Sequence, residues 1–197
     1  MRTVGADIDA QGRHGKKPLV LAICYGHERI ARVLLGAGAS VSDTLLHSVI
    51  RSIVARAEPV RLAIKLLKEH FTSPAGGKKT QLETEAALSS LLSAGNGQGD
   101  TPLHTAVRTG NHKAALALLD SGSRVDAKNN AGLTPLCLAQ SVGLDRTAEL
   151  LIERGADVEY SRRLRGVEVG EDIVLDVVER DCTEVDWDQG EEITQET

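Results

Sequence analysis

A chain of 197 residues with 41% apolar content can bury a core, but only 2% of it is aromatic, so Leu, Val, Ile and Ala must carry the packing in thin layers. No stretch approaches 18 apolar residues, the N-terminus lacks the apolar run of a secretory signal, and Cys24, Cys137 and Cys182 form no Cys-x-x-Cys pair; these features argue against a membrane span, a disulfide framework and a zinc site, and make a reducing intracellular compartment, cytoplasm or nucleus, the default expectation, with an unrecognised secretion route left open. The net charge of −5 is unevenly laid out: residues 1–165 carry 22 Lys/Arg against 16 Asp/Glu (+6), and residues 166–197 carry one Arg against 12 acids (−11).

In chain order, the first landmark is Gly5-Ala6-Asp7-Ile8, which matches Gly155-Ala156-Asp157-Val158 and opens the chain in mid-pattern, as expected of a fragment of a longer array. Residues 15–41 follow as two short helices punctuated by Gly15, Gly26 and Gly38. Segment 44–71 reads as a divergent helix pair, with Leu45 where the other units have proline. Residues 72–79 (Thr-Ser-Pro-Ala-Gly-Gly-Lys-Lys) read as a loop, and 80–95 as the second helix of a unit whose first helix is degraded. The links Gly38–Thr44 and Gly95–Thr101 are each six residues, against twelve for Gly122–Thr134.

The pattern is clearest in 99–127 and 132–160, where Thr101, Pro102, Leu103, Ala106, Gly110 and Gly122 recur one period later as Thr134, Pro135, Leu136, Ala139, Gly143 and Gly155. Thr101 is an N-cap candidate, Pro102 suits the first helical position, and Gly110 ends the helix. A second helix over 112–121 should turn Ala115, Leu116, Leu118 and Leu119 inward, with Leu34–Leu35 and Leu150–Leu151 as counterparts. Neither helix buries its face alone; stacked copies do. Residues 161–197 follow as an acidic tail without repeat landmarks.

Thr-Pro-Leu-His at 101–104, Gly-Ala-Asp-Val at 155–158 and the 33-residue period resemble the ankyrin repeat, over residues 5–41 and 96–160. The resemblance implies an all-α solenoid of stacked helix–loop–helix units with short β-hairpin fingers. It gives a repeat domain at 1–160, with clear units 5–41, 96–128 and 129–160 and degenerate units 42–71 and 72–95. It also implies that the motif histidines, His104 and His47, are structural, and that partners touch the finger tips and the exposed ends of first helices. Carried over by position, the candidate protein-binding residues are Arg13, His14, Lys16, Cys24 and Tyr25; then Gln98, Asp100, Arg108 and Thr109; then Asn130, Ala131, Leu133, Ser141 and Val142.

No catalytic constellation accompanies them. The cluster Gly95-Asn96-Gly97-Gln98-Gly99-Asp100 lacks the Gly-Lys-Ser/Thr ending of a phosphate loop and reads as a hairpin turn, and no His-Glu-x-x-His or Gly-x-Ser-x-Gly is present. The expected function is non-catalytic: a protein-interaction module, an adaptor, a scaffold or the recognition part of a larger protein, with no enzyme activity, cofactor, metal or membrane partner. The alternative is a nucleic-acid-associated or regulatory binding protein using the basic body; scattered Lys/Arg and few aromatics argue against it. The tail is expected to dock in cis on the last repeat through Ile173–Val178.

Overall fold

A computed structural model describes residues 7–12, 15–52, 58–72 and 81–166. Among the described residues there are ten helices and no strand: α1 (Pro18–Cys24), α2 (Glu28–Gly36), α3 (Leu45–Ser52), α4 (Glu58–Thr72), α5 (Gln81–Ser93), α6 (Pro102–Arg108), α7 (His112–Asp120), α8 (Pro135–Ser141), α9 (Asp145–Glu153) and α10 (Val158–Gly166). The all-α solenoid is what the sequence predicts.

Local chemistry sets the helix ends. Pro18, Pro102 and Pro135 each stand at the start of a first helix, where the missing N–H is no loss. The Thr134 hydroxyl accepts the Cys137 amide at 3.3 Å, satisfying a donor of the first turn. At the other end of α6, Gly110 has φ +65°, a left-handed backbone that turns the chain into α7. Asn111 then caps α7 by accepting the Ala114 amide at 3.0 Å.

The helices form two rows. α1, α3, α6, α8 and α10 pack in succession, as do α2, α4, α7 and α9. Register is kept by one leucine per layer, Leu34, Leu67, Leu118 and Leu151; the first and last intervals equal the repeat period, and the middle one is longer. Around the last three, four positions are buried in each second helix: Ala63, Ile64, Leu66 and Leu67; Ala114, Ala115, Ala117 and Leu118; Thr147, Ala148, Leu150 and Leu151. In α2 the corresponding Ile30 and Val33 are instead 53% and 69% exposed, because no described layer precedes them. Those two positions therefore face the preceding layer. Fully burying one such leucine contributes about 1.5–3 kcal/mol.

Three expectations need correction. Leu116 and Leu119 are only half-buried; the inward face of α7 is set by Ala114, Ala115, Ala117 and Leu118. The fingers are tight turns rather than β-hairpins, each closed by few backbone bonds: Asn129 N–H to Leu133 O at 3.1 Å, and Asn96 N–H to Asp100 O at 3.0 Å. Helix also continues past residue 160, since α10 runs to Gly166 and packs on α8.

The extra length of the Leu67–Leu118 interval belongs to the excursion that carries α5. This helix packs on α4 and α6, while α3 still meets α6 and α4 still meets α7 directly. Leu88, Leu91 and Leu92 are its buried apolar side chains, and the Thr84 hydroxyl donates to Phe71 O at 3.2 Å. The segment expected to hold a degenerate unit thus contributes, among the described residues, one helix lying beside the stack.

Candidate protein-binding surface

The surface starts from the first helices, whose positions are fixed from within. His104 is fully buried. Its Nδ1 accepts the Thr101 N–H at 3.2 Å, which leaves Nε2 to donate to Leu133 O, in the next finger, at 2.9 Å. His47 repeats the device differently: Nε2 donates to Ala94 O at 3.0 Å and Nδ1 accepts the Thr105 hydroxyl of α6 at 2.8 Å. Burial pushes both imidazoles below the usual histidine range. Both rings are neutral bridges between layers, the structural role that the motif implies.

A second buried group holds the fingers. Asp100 is fully buried; its Oδ2 accepts from Arg108 at 2.6 Å, and its Oδ1 from the Asn129 side-chain amide at 2.8 Å. The Asn130 backbone amide donates to Gln98 O at 3.1 Å, joining neighbouring finger tips. Gly99, at φ +72°, permits that approach: a Cβ there would lie 2.8 Å from the Asn130 backbone nitrogen.

The candidate residues fall into distinct groups. Arg13 and His14 lie outside the described residues. At the finger tips, Gln98, Asn130 and Ala131 are exposed, and Lys16 is half-buried. At the C-terminal ends of the stacked first helices, Tyr25 is 68% exposed, Val142 is 40% exposed, Ser141 is exposed, and Thr109 is half-buried with its hydroxyl turned back to Thr105 O at 3.0 Å. Cys24 beside them is half-buried, and burial pushes its thiol up, toward the unreactive protonated form. Asp100 and Arg108 are a correction: they are the inward clamp just described, not solvent-facing positions. Leu133 likewise packs against the core. A buried carboxylate is invisible to sequence reading here because its partners come from the far end of α6 and from the next finger.

Sequence reasoning also missed a groove. Where α5 lies against α4 and the end of α7, Lys68, Thr72, Thr84, Leu88, Leu92 and Ser121 line an open space of about 450 Å³. Only the excursion after α4 creates it, and no motif marks it. No group of three His, Cys, Asp or Glu among the described residues could hold a metal ion, and no described helix is long and apolar enough to cross a membrane.

A family model described as ankyrin repeats (3 copies) matches residues 80–162, and one described as ankyrin repeat matches residues 14–44. No curated protein matches the chain. Residues 45–79, between the two matches, hold α3 and α4, which nonetheless form a layer of the stack.

Proposed function

Because the chain belongs to the ankyrin repeat family, whose members are in general protein-interaction modules, we propose that it is a non-catalytic adaptor or scaffold that binds another protein along the finger tips and the C-terminal ends of its first helices. The observation that supports this most is the alignment of exposed side chains on a rigid frame. Tyr25 and Val142 stand exposed at equivalent positions of α1 and α8, and Gln98 and Asn130 stand on fingers bonded to each other. A frame held by buried histidines and an internal ion pair costs little ordering entropy on binding.

Tyr25 is the anchor of this reading, since an exposed aromatic side chain is the type enriched among energetically dominant contacts. Lys16, Gln98, Asn130, Ala131, Ser141 and Val142 form the surrounding contact area. The compartment proposed is intracellular. Capture of partners from a cell extract with the full chain and with Tyr25→Ala tests the proposal. Loss of a specific partner from the variant supports it. Equal capture by both overturns the assignment of the surface. Capture of nucleic acid alone, falling steeply between about 50 and 200 mM salt, overturns the choice of partner.

A further inference from the structure

The C-terminal end of the stack holds half of a fifth layer. α10 packs on α8 as α8 packs on α6, so it takes the place of a first helix. It is anchored there by side chains: the Tyr160 hydroxyl donates to Gly132 O at 2.8 Å, Ser161 bonds to Gln140, and Asp157 N–H donates to Asp126 at 2.9 Å. In each of the four earlier layers a first helix is accompanied by a second. Beside α10 that place, against α9, is not filled by any described residue. Its floor includes Ile152, 43% exposed, at the position where Leu35 in α2 is covered by α4 and only 5% exposed.

We propose that the chain's own segment 170–180 fills this place as the second helix of the fifth layer, docking in cis. This extends the reading of the molecule as a binding stack, because it assigns the end of the stack to the chain itself rather than to a partner. Three observations select this occupant. The first is its pattern. The buried quartet of the second helices is two apolar or small residues, one outward residue, then two more, as in Ala63-Ile64-Lys65-Leu66-Leu67 and Thr147-Ala148-Glu149-Leu150-Leu151. Val174-Leu175-Asp176-Val177-Val178 repeats it, with the acid on the outward position.

The second observation is spacing. The interval from the start of the first helix to the last quartet residue is the same in three layers (Pro18–Leu34, Pro102–Leu118, Pro135–Leu151) and six longer in the layer of α3 and α4 (Leu45–Leu67). For the fifth layer, Val158–Val178 is four longer, within the range this chain already uses. The α3–α4 layer is also the one that follows a shortened finger, as α10 does: the chain reaches Leu45 seven residues after Gly38 and Val158 three residues after Gly155, against thirteen from Gly122 to Pro135. In the α3–α4 layer a shortened finger thus goes with a lengthened interval between helix start and quartet.

The third observation is reach. Three residues, 167–169, separate Gly166 from residue 170, as three residues join α1 to α2, α6 to α7 and α8 to α9. Extended, they span roughly 10 Å at about 3.3 Å per residue, matching the ~10 Å between packed helices. Val174 and Val177 then correspond to Ile30 and Val33, the positions that face the preceding layer, and so meet α9.

Hydrogen exchange on the full chain tests this. Amides of 172–180 are expected to exchange at least about 10-fold more slowly than an unstructured peptide. Val177→Asp, and separately Ile152→Asp on α9, should abolish that protection, while Asp176→Asn should keep it. The idea is overturned by unprotected amides in the native chain, by equal loss in all three variants, or by protection that disappears on dilution, which would mean a second copy supplies the contact. Because Ile152 and Val177 lie outside the Tyr25 surface, partner capture by Val177→Asp remains an independent readout: failure of the fifth layer leaves the binding proposal standing, and the reverse.

Discussion

The layers α6/α7 and α8/α9 differ from the layer α3/α4 in almost every punctuating residue and hardly at all in what they bury. The first two begin with Thr-Pro, turn at a left-handed glycine and close at Gly122 or Gly155. The third begins at Leu45 without proline, has five residues outside the described set where Gly110 would be, and extends its second helix to 15 residues. Yet Leu45, Leu46, Val49, Ile50, Ala63, Ile64, Leu66 and Leu67 are all buried. Stacking therefore demands a face, and the turn residues only fix the shortest path between faces. Removing caps costs about 1 kcal/mol each, whereas removing a face costs several.

Four perturbations would break or sharpen that contrast. The largest expected effect is in the regular half: Asp100→Ala leaves the Arg108 guanidinium without its buried carboxylate and should cost about 3–5 kcal/mol in chemical denaturation. A change under ~1 kcal/mol would show that water replaces the carboxylate. Next come paired truncations, Leu118→Ala and Leu67→Ala, at 0% and 1% exposure. Both should lose about 2–5 kcal/mol, and Leu119→Ala, half-buried, should lose less. A neutral Leu67→Ala would mean that the irregular layer melts separately and the comparison fails.

Gly99→Ala is expected to be milder, roughly 1–3 kcal/mol, from the left-handed backbone and the contact with Asn130. Gly97→Ala, with open space around its Cα, is its control in the same melt. The gentlest test changes no residue. His47 and His104 have folded pKa values held below the unfolded value of about 6.5 by burial. The unfolded chain therefore binds protons first, so stability is fully present above ~6.5 and is lost as pH falls through 6.5 toward the depressed folded values. A denaturation series from about pH 8 to 5 should be flat at first and then fall. His104→Gln and His47→Gln should each remove part of the slope, one from each half.

Much of this was legible from residues alone. Thr134, Pro135 and Gly143 announce their helix by chemistry that acts within a turn or two, and the 33-residue period places one layer on the next. What escaped was non-local. The burial of Asp100 depends on Arg108 and Asn129 arriving from another part of the layer and another finger. The half-exposure of Leu119 depends on α9, since the apolar spacing of α7 is satisfied equally by a wider or a narrower face. The position of α5 escaped for a related reason: an apolar helix announces that it will be covered, not by what. The exposed ring of Tyr25 was marked by its place at the end of a first helix, whereas the inward turn of Arg108, near the matching end of α6, was not.

The excursion through α5 has a kinetic side. Joining Leu34 to Leu67, or Leu118 to Leu151, closes a single repeat period, but joining Leu67 to Leu118 closes half as much again. On a logarithmic closure law the longer join is only about 0.4 kcal/mol harder, so the detour is almost free at equilibrium. It nevertheless divides the chain into two stretches of short-range contacts separated by one longer-range seam. Each stretch can assemble from its own neighbours, and the seam between them, made by α3 on α6 and α4 on α7, closes only about twofold more slowly than a single-period join.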